Sequence, residues 1–154
     1  MSDSSPILPL RSMSLADLER IMPIEERAYP YPWTLGIFQD CLKHKTYHAY
    51  IYELDQQIIA YCVLSIAVGE LHILNITVEP SHQNQGLGKR LLASAEQIGS
   101  GLGAQDCFLE VRPSNTAAIH LYLAQGFNEV GLRKNYYPAK NGREHAILMA
   151  KTLV

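Results

Sequence analysis

Leu74-Asn75-Ile76-Thr77-Val78-Glu79-Pro80-Ser81-His82-Gln83-Asn84-Gln85-Gly86-Leu87-Gly88-Lys89-Arg90-Leu91-Leu92 reads as a strand, a tight glycine loop and the start of a helix, in that order. The strand is β-branched and apolar from Leu74 to Val78 and stops at Glu79-Pro80, where the proline removes a ladder donor. Beyond the glycines, Leu87, Leu91, Leu92, Ala95 and Ile98 recur at one-turn spacing, so the helix begins at Gly86-Leu87-Gly88. Glycines at a helix start let backbone approach a ligand. The unpaired first N–H groups and the positive end of the helix dipole favour an anion such as phosphate, and Lys89 and Arg90 add charge there. An ordinary strand-to-helix connection, its glycines serving only the turn, fits the same pattern. A dinucleotide loop does not, because Leu91 stands where a third glycine is required, and a P-loop does not, because no Gly-Lys-Ser/Thr follows.

The chain of 154 residues has the size of one domain, residues 1–154, with a core large enough to fold alone. With 18% charged and 47% hydrophobic residues it is globular rather than disordered, and a net charge of -2 with scattered Lys and Arg speaks against a nucleic-acid face. No apolar run reaches the roughly 18 residues of a membrane span. Met1 to Pro6 lacks the basic and apolar regions of a signal peptide, so the expected location is cytoplasmic. Cys41, Cys62 and Cys107 stand apart at apolar positions, as buried thiols of a reducing compartment do. The Asn75-Ile76-Thr77 sequon lies inside the apolar strand and is discarded as a glycosylation site.

A first strand is expected over Ile7 to Met13, followed by a helix capped by Ser14 and Asp17 that kinks or splits at Pro23 and runs to about Ala28. Tyr29-Pro30-Tyr31-Pro32-Trp33 forms a stiff aromatic loop that is either plain packing or the wall of a cleft. Thr34 caps a second helix. Tyr47 to Glu53, Ile58 to Val68 and Leu71 to Val78 form three antiparallel strands in series. The glycines of Gly99-Ser100-Gly101-Leu102-Gly103-Ala104 follow a helix and precede a strand, so they read as helix-stop chemistry. A strand over Cys107 to Val111, a helix over Thr116 to Ala124 stopped by Gly126, a strand from Phe127 to Tyr137 and a last strand from Glu144 to Leu153 complete an α/β domain of the α+β flavour.

Glu110 is the most informative single residue, because it interrupts the apolar strand Phe108-Leu109-Glu110-Val111-Arg112. A carboxylate there is either paired, with Arg112 two residues on as the obvious partner, or working. Tyr122, between Leu121 and Leu123 on the following helix, is either core or a second functional group. No Gly-x-Ser-x-Gly elbow or activated cysteine is present, and His44 and His48 have no third ligand at metal spacing. A reaction without metal or covalent nucleophile is expected.

The order strand, Gln83-Asn84-Gln85-Gly86-Leu87-Gly88, helix, Leu109-Glu110-Val111-Arg112, Asn115 and Leu121-Tyr122 resembles the Gcn5-related N-acetyltransferase superfamily, whose acetyl-coenzyme A motif is Gln/Arg-x-x-Gly-x-Gly/Ala. With Ser114, Gly126-Phe127, Arg133-Lys134-Asn135-Tyr136-Tyr137-Pro138 and Met149, the chain looks most like the RimI family, which acetylates the N-terminal alanine of a small-subunit ribosomal protein. The resemblance runs from about Leu10 to Lys151. It implies a mixed, mostly antiparallel sheet of six to seven strands with about four helices. It implies acetyl-CoA as co-substrate, held by Ile76, Thr77 and Val78 along the pantetheine arm, by Gln83, Asn84, Gln85, Gly86, Leu87, Gly88 and Lys89 at the pyrophosphate, and by Asn115. Glu110 becomes the general base and Tyr122 the general acid, with Tyr31, Trp33, Tyr136 and Tyr137 flanking the acceptor peptide. The implied partner is the N-terminus of a small-subunit ribosomal protein, with no metal, nucleic acid or membrane; no oligomeric state is implied. The extra proline and bulky Tyr31 of the first loop, and Pro23, fall where acceptor choice would be set. Another peptide N-terminus or a small amine is the alternative acceptor, and a non-catalytic acyl-CoA binding module the alternative class.

Overall fold

The computed structural model describes residues 6–153; Met1 to Ser5, part of the stretch read for a signal peptide, lie outside the described residues. In chain order the elements are β1 (Arg11–Ser12), α1 (Leu18–Ala28), α2 (Leu35–Lys43), β2 (Tyr47–Leu54), β3 (Gln57–Ala67) and β4 (Glu70–Val78). Then come α3 (Leu87–Gly101), β5 (Asp106–Val111), α4 (Thr116–Ala124), β6 (Asn128–Ala139) and β7 (Gly142–Thr152). The seven strands form one sheet in the order β1-β2-β3-β4-β5-β7-β6, parallel only between β4 and β5. This is the mixed sheet with four helices that the resemblance implies.

Turn chemistry sets the first two hairpins. Asp55-Gln56 and Val68-Gly69 all take positive φ, the backbone that a two-residue connection between twisted strands demands. Strand alternation then sorts the side chains to two faces. Ile51, Tyr61 and Val63 pack with Ile21, Ile24 and Phe38 beneath α1 and α2. Cys62, Leu64, Leu71, Ile73, Leu109 and Met149 pack with Leu91, Leu92, Ala95 and Phe127 beneath α3 and α4. All three cysteines are buried and free. Among the described residues no helix is long and apolar enough to cross a membrane.

Three local expectations are corrected. Only Arg11 and Ser12 of the stretch Ile7 to Met13 pair as a strand, because Leu8 is tied to α3 instead, its N–H donating to Ser94 Oγ at 2.6 Å. Pro23 does not split the first helix in two: a 3-10 turn over Leu15–Asp17 leads into a single α1 that runs through the proline to Ala28. Pro23 sits in the second turn on an exposed face, where water can serve the one carbonyl its missing N–H leaves free. Gly99 is not a stop residue. It lies inside α3, where a Cβ would come within 2.8 Å of Leu71 Cδ2, so its role is close packing of helix on sheet; the stop is Gly103 at φ 94.

The sheet comes apart at one place. β4 and β5 pair only from Glu70↔Asp106 to Ile73↔Leu109. At the end of that run Val63 opposes Asn75 and Leu64 opposes Ile73, which leaves Leu74 as a bulge. A bulge bends its strand, so Asn75 to Val78 part from Glu110 and Val111. Side chains take over the carbonyls that the parting frees. Tyr29 Oη donates to the Ile76 carbonyl at 2.8 Å, and Gln83 Nε2 to the Val78 carbonyl at 3.2 Å. Because a strand residue points its N–H and C=O to the same neighbour, the N–H groups of Ile76 and Val78 face the gap as well.

Candidate active site

Two cavities meet at this gap from opposite faces of the sheet. The larger, about 900 Å³, lies on the α3/α4 face and is lined by Ile76, Val78, Gln83, Asn84, Leu87, Gly88, Asn115, Ala118 and Leu121. The other, about 600 Å³, lies on the α1/α2 side, where those helices leave β5, β7 and β6 uncovered; Glu25, Trp33, Asn75, Glu110 and Tyr137 line it. Tyr29, Tyr31, Ile76, Arg112, Asn115 and Tyr122 line both. A long ligand can thus lie in the first cavity and present one end, through the split sheet, to the second.

The larger groove has the features of an anion cradle. Asn84 (φ 63) and Gly86 (φ 77) take left-handed backbone to turn the loop into α3, and Gly86 is the N-cap. At Gly88 a Cβ would press to 3.3 Å of Leu121 Cδ2, so a side chain there would intrude between α3 and α4 at the groove floor. Asn115 caps α4 through its side-chain oxygen, which accepts from Ala118 N at 3.3 Å. Of the residues expected at the cofactor, Ile76, Val78, Gln83, Asn84, Leu87, Gly88 and Asn115 line the groove. Thr77 does not: its hydroxyl lies on the other face, donating to Asn75 Oδ1 at 2.6 Å. Gln85, Gly86 and Lys89 are exposed beside the helix start, outside the lining.

On the other side Glu110 is half-buried, and the cation it meets is Arg133 of β6, Nε to Oε1 3.3 Å, rather than Arg112. Arg112 is engaged elsewhere. Its guanidinium lies 4.7 Å from the Tyr31 ring centre and 4.3 Å from that of Tyr137, and donates to the Pro138 carbonyl at 2.6 Å. It thereby joins the 29–33 loop to the β6–β7 hairpin across the channel. Tyr122 is buried, edge-on to Phe127, and burial pushes its hydroxyl well above the ordinary phenol range, so it stays protonated at neutral pH. Of the expected acceptor residues, Tyr31, Trp33 and Tyr137 line the cavity, although the Trp33 ring also packs edge-on to Phe38. Tyr136 does not: it is exposed, its ring 5.0 Å from that of Tyr137.

Sequence reasoning missed Glu25. It is 1% exposed on α1 and accepts three hydrogen bonds, from Trp33 N (3.0 Å), Tyr61 Oη (2.7 Å) and Asn75 Nδ2 (3.2 Å). Tyr29, 2.8 Å from Thr77 Oγ1, pins the other end of the aromatic loop to β4, and burial pushes its hydroxyl up to about 12. One signal was available: Glu25 falls on the apolar stripe of Leu18, Ile21 and Met22, where a carboxylate must find donors. Among the described residues no three His, Cys, Asp or Glu side chains gather as metal ligands; His44 stacks on Tyr47 instead.

Comparison with known proteins agrees with this geometry. Residues 14–127 match the profile of the acetyltransferase (GNAT) family. The [ribosomal protein bS18]-alanine N-acetyltransferase of Escherichia coli K12 is 37% identical over 141 residues, covering 92% of this chain and 95% of that protein. The crystal structure of the ribosomal-protein-S18-alanine N-acetyltransferase from Escherichia coli superposes with a TM-score of 0.87 at 36% identity, over 94% of this chain and 93% of that one. NAA60 of Arabidopsis thaliana in complex with acetyl-CoA shares the fold, with a TM-score of 0.81 at 18% identity over 94% of this chain and 97% of its own. From the glycine loop to the split between β4 and β5, then, the chain belongs to the acetyltransferase (GNAT) family, in its RimI branch.

Proposed function

We propose that this protein transfers the acetyl group of acetyl-CoA to the N-terminal α-amine of ribosomal protein bS18, at an alanine, in the cytoplasm. The observation that carries the reading is that Glu110 and Tyr122 flank one gap, with a groove fit for a long phosphorylated cofactor on one side and an open cavity on the other. The names of the 37% identical relatives support the acceptor.

The cofactor supplies an activated thioester acetyl group. The Asn84 to Gly88 turn and the start of α3 hold its phosphates, and the N–H groups of Ile76 and Val78 bind along the pantetheine arm and polarise the thioester oxygen. Glu110 receives the proton that the amine loses as its nitrogen attacks, directly or through a water. An α-amine has a pKa of about 8, so a useful fraction is already neutral near pH 7, and the base need only take the proton that leaves as the nitrogen attacks. Tyr122 donates its proton to the departing sulfur from the groove side. No side-chain nucleophile takes part, and alignment of the two substrates across the gap supplies much of the rate.

The test is mass spectrometry of peptides incubated with the protein and acetyl-CoA. An alanine-ended peptide with the bS18 N-terminal sequence is expected to gain one acetyl group at its α-amine, while the same peptide with a blocked N-terminus gains none. Acetylation of spermidine or an aminoglycoside with none of the peptide would move the acceptor to small amines. Cofactor binding with no acetylation of any amine would leave a binding module.

A further inference from the structure

The Glu110–Arg133 contact has no part in the transfer chemistry of Glu110 and Tyr122, and its geometry is specific. β7 lies between β5 and β6, with Glu110 opposite Leu148 and Arg133 opposite Ala146. Residues two apart on a strand share a face, so both side chains rise on the acceptor side. Ala146, fully buried, is small enough for Arg133 to pass over it to the carboxylate. Directly beyond Arg133 the β6 register breaks, so that Tyr137 opposes Glu144. Asn135 takes a φ of 53 there and its N–H donates to His145 Nδ1 at 3.0 Å. In unbroken pairing Tyr137 would stand two residues further away. The Arg133 guanidinium also lies 5.3 Å from the Tyr136 ring centre.

We propose that Arg133 is a positioning residue that offsets the charge of Glu110, so that the acceptor site takes an amine in its neutral form and discriminates against lysine side chains and polyamines. The proposal rests on the reading of Glu110 as the base. A lone half-buried carboxylate at the point of attack would hold an incoming ammonium as an ion pair, and a protonated amine has no lone pair with which to attack. With the carboxylate already paired, the ammonium form gains little. An α-amine near pKa 8 then reacts through its neutral fraction, whereas a lysine amine, at about 10.4, has very little to offer.

The other groups facing the site do not supply this cation. Arg112, just past the end of β5, is held by Tyr31, Tyr137 and the Pro138 carbonyl, and Glu25 from α1 is engaged by three donors. Tyr137 on β6, whose hydroxyl burial and then the Glu110 charge push up to about 12, is neutral near pH 7, as are Tyr29 of the loop and Tyr122 of α4, both raised by burial. β4 presents Asn75, and β7 presents Leu148, Ala146 and, opposite Tyr137, Glu144, whose carboxylate accepts from Ser114 N and Oγ.

The experiment measures kcat and KM for the alanine-ended peptide between pH 6 and pH 10 with the wild-type protein, Arg133→Gln and Arg133→Lys, and Glu110→Gln in parallel. In Arg133→Gln the rising limb of kcat is expected to move about one pH unit to the alkaline side, the low end for loss of an opposite charge from a partly exposed pair. At pH 7 kcat falls about tenfold while KM for the peptide falls too, because the ammonium form now binds better. Arg133→Lys restores the wild-type limb, and acetyl-CoA affinity is the same in all three. A wild-type pH limb in Arg133→Gln, or a uniform loss at every pH that lysine does not rescue, overturns the proposal while Glu110→Gln remains inactive. Activity retained in Glu110→Gln overturns the base assignment itself.

Discussion

Glu110→Gln is expected to lower kcat about 10²- to 10⁴-fold, the range for removing a positioned general base, with the acetyl-CoA dissociation constant unchanged. The amide keeps the size and one acceptor oxygen of the carboxylate but cannot take up a proton at neutral pH. Cofactor affinity survives because the groove lies on the α3/α4 face, across the sheet from Glu110. Stability survives as well: the pair with Arg133 is 27% and 55% exposed, and exposed ion pairs contribute about 1 kcal/mol or less. Steady-state kinetics with the alanine-ended peptide, beside calorimetric titration of acetyl-CoA, checks both halves. A loss of only a few-fold would leave Glu110 as an ion-pair partner rather than a base.

Glu25→Ala carries the second largest effect, this time on the scaffold. Removing the carboxylate strands the Tyr61 hydroxyl, the Asn75 amide and the Trp33 N–H in a buried site, and losing one member of such a network costs about 3–5 kcal/mol. For a domain of this size that lowers the melting temperature by roughly 10 °C. Glu25→Gln keeps one acceptor oxygen but turns an N–H toward a donor, so its loss should fall between wild type and alanine. The carboxylate also ties the Trp33 end of the aromatic loop to β4, so at a temperature where the variant is folded its KM for the peptide should rise more than its KM for acetyl-CoA. Thermal melts and two-substrate kinetics separate the effects; a melting temperature within 2 °C or so of wild type would mean that water replaces the lost partners.

Local chemistry made much of this legible beforehand. The glycines mark the start of α3, Thr34 caps α2 by accepting from Ile37 N, and helix α4 runs from Thr116 to Ala124 as its pattern predicts. Glu110 stood out because a charge in an apolar strand needs a reason. Its partner did not, because Arg133 reaches it only through the insertion of β7 between β5 and β6, a fact of topology that no local pattern carries. Arg112, two residues on and on the same face, was the natural candidate, and the rings of Tyr31 and Tyr137 claim it instead. Glu25 drew no notice in the sequence, because its partners Tyr61 and Asn75 come from strands far along the chain. The Leu74 bulge, which parts the sheet, left no mark in a run of residues that all suit a strand. Ile7 to Met13 looked equally strand-like, and there the pull of Ser94 decided otherwise.

In this mechanism two substrates meet through the split sheet from opposite faces. A crystal structure with a bisubstrate analogue, coenzyme A joined through an acetyl link to the α-nitrogen of an alanine-ended peptide, tests it most directly. The phosphates are expected at Asn84 to Gly88, the link in the gap between Ile76 and Glu110 with Tyr122 at the sulfur, and the peptide leaving past Tyr31 and Tyr137. A coenzyme arm outside the Gln83–Gly88 groove, or a peptide leaving on the α3/α4 face, would contradict it.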